Sequence, residues 1–288
     1  MTVARGELSV ASPAFYRAKA ALTLLRSLRW RLRGRAPARG LRILYYHRVS
    51  DDRDELAVTP ARFAAQMERL AGAGLRAVDV EEGVRLLSEG PPDTVVGLCF
   101  DDGYADVAEH AVPVLERHGF RATVFLPTGV VDGSASLSWY ATQPPLLSWS
   151  QIRDLDRSGT LRFGAHTVTH PNLLELAEPD ARAEIAGSKR ALEDRLGHPV
   201  AAFCYPAGLF GSRERRLVAE AGFAVATSCE PGVNGPGADP LALRRVQVDA
   251  RDRMLDFRAK LAGGHDAPPA LRAAYRRLRF GAAASSRS

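Results

Sequence analysis

The chain is poor in cysteine: Cys99, Cys204 and Cys229 among 288 residues, widely spaced and without a C-x-x-C pair. An odd, scattered set offers no disulfide framework, and a core of this size needs none. Cys99 and Cys204 lie in apolar runs and read as buried thiols of a reducing compartment. Long apolar runs are missing as well, since no stretch approaches the roughly 20 apolar residues of a membrane-spanning helix. Acidic residues are absent from Ala11 to Ser50. No internal repeat, long low-complexity tract or recognised nucleic-acid motif is present, so nucleic acid is not an expected partner.

What is there is unevenly charged. Residues 1–50 hold eleven Lys/Arg against one Glu, a net +10, so within the total of +6 the remainder is −4. Arginines interrupt the apolar residues of this arm too often for a signal peptide. Read as a helix, Leu24, Leu28 and Leu32 share one face with Ala21 and Leu25, while Arg26, Arg29 and Arg33 take another. Such a helix can lie on an anionic membrane. A solvated arm, or a helix packed on the body, explains the same pattern. The expected location is cytoplasmic, with peripheral contact at the inner face of the membrane. Residues 1–40 are read as the arm, 41–262 as the catalytic body and 263–288 as a basic tail.

From residue 41, short apolar strands alternate with helical stretches. Strands are expected at Leu41–Tyr46, Thr94–Phe100, Ala122–Leu126, Leu161–Gly164, Ala201–Tyr205, Ala224–Ser228 and around Arg245–Val248. Helices are expected after Thr59-Pro60 and over Tyr104–His118, Trp149–Arg157, Asp180–Leu196 and Arg213–Ala221. Ser148 and Gln151 fit a capping box, and Gly119 sits where a helix-ending glycine belongs. This alternation predicts a parallel sheet covered by helices. Closure into a barrel fits the length better than an open sheet. Active sites of such folds gather at the C-terminal ends of the strands.

Two such ends carry chemistry. Phe100-Asp101-Asp102-Gly103 follows the strongest strand. Adjacent residues of an extended chain point in different directions, so one carboxylate can bind a metal while the other faces the reacting centre. His166-Thr167-Val168-Thr169-His170 follows another strand. Histidines at i and i+4 can converge on one ion if the segment turns helically. One Asp and two His make a three-ligand site that leaves positions open for water and a substrate oxygen. Each feature alone also fits an ordinary turn or a surface pair; together they point to a catalytic metal.

The chain resembles the polysaccharide deacetylase family (carbohydrate esterase family 4, the NodB-homology domain). The resemblance rests on Cys99-Phe100-Asp101-Asp102-Gly103, on His166 to His170 continued by Pro171-Asn172-Leu173, and on Cys204-Tyr205-Pro206-Ala207-Gly208. It covers about residues 41–250, and the opening Tyr45-Tyr46-His47-Arg48-Val49 adds to it. It implies a distorted (β/α)7 barrel and hydrolysis of the N-acetyl group of an amino sugar in a saccharide, glycolipid or glycoside. It implies Asp101 as the base and Asp102, His166 and His170 as ligands of a divalent ion, Zn2+ first, with Co2+ or Ni2+ also suited. The backbone N–H of Ala207 would meet the oxyanion, and Tyr205, Pro206 and Arg245 would contact substrate.

The sequence also departs from the family pattern. The usual arginine of the third motif would fall near Cys204, and Ala207 stands where the family has tyrosine. The late L-x-I-H block with its general-acid histidine has no match; after Ala250 the only histidine is His265. His47, at the end of the first strand, is the candidate acid, because in a closed barrel the first strand neighbours the last. An imidazole's ordinary pKa near 6.5 suits that role. Arg244 or Arg245 could instead orient the base. Trp139 and Trp149 could be sugar platforms, but packing roles suit them as well. The chemistry also fits an amidohydrolase of a non-sugar amide, or a glycan binder that kept the metal site; the intact Asp101 speaks against the binder.

Overall fold

The computed structural model describes residues 40–90, 94–264 and 266. The basic arm apart from Gly40, its expected membrane contact, nearly all of the tail and His265 lie outside the described residues. No helix among the described residues is long and apolar enough to cross a membrane.

Seven parallel strands build the barrel: β1 (Gly40–Tyr46), β2 (Thr94–Asp101), β3 (Ala122–Leu126), β4 (Leu161–Ala165), β5 (Ala202–Cys204), β6 (Val225–Thr227) and β7 (Arg245–Gln247). Their order in the sheet is β7-β1-β2-β3-β4-β5-β6, and the short strand Ala77–Val78 pairs beside β2. The ring closes between β6 and β7 without a full ladder: Thr227 bridges Leu243, Leu243 N donates to Ala226 O, Ser228 N to Leu243 O and Arg245 N to Glu230 O. The seven strands and their covering helices form the expected (β/α)7 barrel, with this irregular seam in place of a regular ladder.

The strands read as continuous apolar runs because both faces are buried. Along β1, Leu41, Ile43 and Tyr45 join Cys99, Phe125, Ala202, Cys204 and Leu243 in the barrel interior. The alternate residues Leu44 and Tyr46 pack outward with Phe63, Met67 and Leu70 of α1 (Pro60–Ala71). The other principal helices are α2 (Val80–Ser88), α3 (Val112–His118), α4 (Trp149–Ser158), α5 (Glu178–Leu196), α6 (Ser212–Glu220) and α7 (Met254–Leu261). Ser148 and Gln151 form the expected capping box, and Gly119 ends α3 in the left-handed region.

The expected continuous helix over Tyr104–His118 is not formed. Tyr104 bridges to Leu146, and a π-turn spans Val107–Ala111 before α3 begins. Pro113 has no N–H to give to the carbonyl four residues back. The widened turn, with Val112 N bonded to Val107 O, absorbs that loss.

Candidate active site

β2 delivers Asp101 and Asp102 to the C-terminal rim, but the chain is not extended there. Asp102 and Gly103 are both left-handed, with φ of 70° and 75°. A Cβ on Gly103 would lie 2.4 Å from Leu126 Cδ2. The two carboxylates therefore part because the chain reverses its twist between them, not because of the strand alternation expected from the sequence. Aspartate is one of the few side chains other than glycine that enters this region readily, because its short polar group can bond locally.

The histidine segment likewise converges without a helix. Thr167 and His170 have φ of 67° and 59°, and the loop is tied from outside. Glu184 of α5 accepts from Val168 N, Thr169 N and Thr169 Oγ1 at 2.8, 2.9 and 2.7 Å. Thr128 N and Gly129 N donate to the carbonyls of Thr167 and Val168. His166 Nδ1 bonds to the Cys204 carbonyl at 2.7 Å. A carbonyl only accepts, so the ring proton sits on Nδ1 and the Nε2 lone pair faces the site.

There Nε2 of His166 lies 3.1 Å from Nε2 of His170, and each is 3.8 Å from Asp102 Oδ1. That oxygen is buried and has no hydrogen-bond partner. Burial pulls the pKa of both imidazoles down, against the pull of the nearby carboxylates, and for His170 the neighbouring His166 adds to the fall. Burial and the adjacent Asp101 carry Asp102 up to about 7. An orphaned carboxylate oxygen facing two imidazole nitrogens fits a divalent cation, which would satisfy all three.

Asp101, His166 and Cys204 form a second close group, but its donors are spent. Both Asp101 oxygens accept from Arg245, at 2.6 and 2.8 Å. Burial raises the Cys204 thiol well above its ordinary pKa, and Arg245 lies 3.0 Å from its sulfur.

Arg245 is wholly buried. Beyond Asp101 it donates to the Ser228 carbonyl at 2.9 Å. The Cys99 and Cys229 sulfurs stand 3.4 and 3.7 Å from its guanidinium, and its Cζ is 4.2 Å from the Tyr45 ring centroid. All three cysteines of the chain thus surround one guanidinium. Burial alone would raise the Asp101 pKa, but Arg245 outweighs it and holds the carboxyl below its usual range. Arg245 is therefore not a substrate contact, as first expected; it secures Asp101, the other role its position offered. The guanidinium missing near Cys204 arrives from β7, and the compact cysteine leaves room for it.

Two other expected substrate contacts also turn inward. Tyr205 is fully buried, its ring stacked on Phe210 at 4.3 Å and its hydroxyl donating to the Leu241 carbonyl. Pro206 is buried beside it. A residue after a strand end can point into the helix layer as readily as into the mouth, and Tyr205 does the former. Ala207 is half-buried at φ 53°. The next residue, Gly208, leaves no room for a side chain, because a Cβ would stand 2.2 Å from Cys229 N. The turn thus needs its glycine.

His47 is half-buried at the end of β1, with its ring 5.8 Å from Tyr45. It is near enough to Asp101 and His170 for its charge to shift their ionisation. Trp139 is 37% exposed and sets its ring edge-on to His170 at 5.1 Å. Trp149 takes a packing role, donating to Asp132 Oδ1 beneath the Arg195 guanidinium. Sequence reasoning missed Tyr104, which bonds Asp102, and Glu184, which ties the histidine loop. The tyrosine directly after D-D-G was the available signal for the first.

Residues 88–226 match the family model described as polysaccharide deacetylase. The Bacillus subtilis protein YxkH is 27% identical over 210 residues, covering 72% of this chain and 71% of that one. The poly-beta-1,6-N-acetyl-D-glucosamine N-deacetylase of Staphylococcus aureus is 21% identical over 214 residues, covering 71% and 72%. Among solved structures, IcaB from Ammonifex degensii superposes with a TM-score of 0.67 at 26% identity, over 79% of this chain and 98% of its own.

Proposed function

Because this chain belongs to the polysaccharide deacetylase family, we propose that it is a metal-dependent hydrolase removing the N-acetyl group from an acetamido sugar of a glycan. The observation that carries the reading is the division of labour between adjacent carboxylates. Asp102 Oδ1 faces two imidazoles without a partner, while Asp101 is held apart by a buried guanidinium. A pure binding module would need the first arrangement and not the second.

Asp102, His166 and His170 would hold the ion. When bound, a divalent ion such as Zn2+, with Co2+ or Ni2+ also suited, polarises the amide carbonyl and makes water more acidic. Asp101 is ionised at neutral pH and takes the proton of the attacking water. Its bidentate partner leaves each oxygen a second lone pair for that proton. The backbone N–H of Ala207 stabilises the developing oxyanion. His47 returns a proton to the leaving amine, which departs poorly as an anion.

The experiment is mass spectrometry on a panel of acetamido sugars, from monosaccharides to β-linked oligosaccharides, looking for loss of one acetyl group. Loss that stops with a chelator and returns with Zn2+ is expected. No acetyl loss from any sugar, with release from a non-sugar amide, would move the substrate outside carbohydrates.

The acid assignment has its own measurement. His47→Ala should keep the metal, lower kcat and erase the alkaline limb of the pH–rate profile, because that limb reports loss of the acid's proton. An unaltered profile would assign the proton to another group.

A further inference from the structure

Tyr104 follows the D-D-G turn and is fully buried, so it does not meet substrate. Its hydroxyl donates to Asp102 Oδ2 at 3.2 Å. The other oxygen, Oδ1, is the one with no hydrogen-bond partner that faces Nε2 of His166 and His170. The two oxygens of this carboxylate are thus already distinct. The terminal torsion of an aspartate is broad and roughly two-fold, so an unrestrained Asp102 could present either oxygen or both.

The phenol is itself held from several directions. The Tyr140 ring meets it edge-on at 6.2 Å, and the Arg48 guanidinium lies 5.6 Å from its centroid. Arg48 is locked by Asp52, Asp54 and Asp106, and Tyr140 donates to the same Asp54 at 2.6 Å. On the main chain, Ala105 N bonds to Pro145 O and Leu147 N to Gly103 O, each at 2.9 Å. A hydroxyl fixed this firmly acts as a stop for the carboxylate it touches.

Resting on the metal-dependent reading above, we propose that Tyr104 is a positioning residue for the metal centre: it holds Asp102 Oδ2 so that Oδ1 alone is presented to the cation. The hydroxyl acts through Asp102, as the outer hydrogen-bond partners of metal ligands generally do, and their loss typically weakens metal binding 10–100-fold.

The test is Tyr104→Phe, which keeps the ring and its packing. Zn2+ binding to metal-stripped protein is measured by calorimetry against a competing chelator. The expected result is about 10–100-fold weaker affinity, with metal-free thermal unfolding unchanged and deacetylation restored at saturating Zn2+. Wild-type affinity in Tyr104→Phe would overturn the proposal. Asp102→Ala separates this inference from its premise. If that variant keeps full Zn2+ affinity, the metal centre itself is misassigned; if it loses the metal while Tyr104→Phe does not, only the positioning role fails.

Discussion

Asp101→Asn should lower kcat by about 10²–10⁴-fold, the usual share of a general base, while one divalent ion per chain remains bound. The amide keeps the shape of the carboxylate but cannot take the proton of water. The ion is retained because none of its expected ligands is altered. The substitution has a second effect. It removes the only carboxylate bonded to Arg245 among the described residues, and a buried charge stripped of its partner costs about 3–5 kcal/mol. Rates must therefore be taken well below the variant's unfolding temperature, with metal content measured on the same sample. Turnover near the wild-type value would show that another group takes the proton.

His166→Ala should remove both metal and activity. His166 is nearly fully buried and is anchored by the bond from Nδ1 to the Cys204 carbonyl. It thus brings a fixed nitrogen within 3.8 Å of Asp102 Oδ1. Without it, two of the three expected ligands remain, and a water in the gap cannot reproduce a pre-oriented imidazole. Elemental analysis after dialysis should find the variant empty where the wild type holds one ion. Full occupancy in the variant would rule out the assignment of the ligands, whatever the activity.

The two variants together separate the roles. Loss of turnover with metal retained, against loss of both, is the pattern expected when base and ligand stand on different side chains. A binder with no catalytic function would lose glycan affinity in His166→Ala and keep it in Asp101→Asn.

Much of the protein was legible in its sequence. Strands buried on both faces are short apolar runs, and the seven expected strands fall within two residues of those formed. The residues that the structure gathers at the candidate site were legible because each motif is contiguous: D-D-G on one strand end, H-T-V-T-H on another. Local pattern also gave the capping box at Ser148 and the glycine ending α3.

The tertiary structure decided what depends on residues distant in the chain. Arg245 reaches Asp101 across 144 positions, because barrel closure sets β7 beside β1 and β1 beside β2. The three cysteines meet around that guanidinium for the same reason, although nothing in their spacing announces it. Tyr205 looked like a substrate contact from its motif, but its stacking on Phe210 turned it into the core. The histidines converge through left-handed backbone at Thr167 and His170, a conformation that local propensity disfavours and that Glu184, on the following helix, stabilises. Periodicity and motif report what neighbouring residues prefer. Which buried charges meet, and which strained turns persist, follows from contacts formed only when the barrel closes.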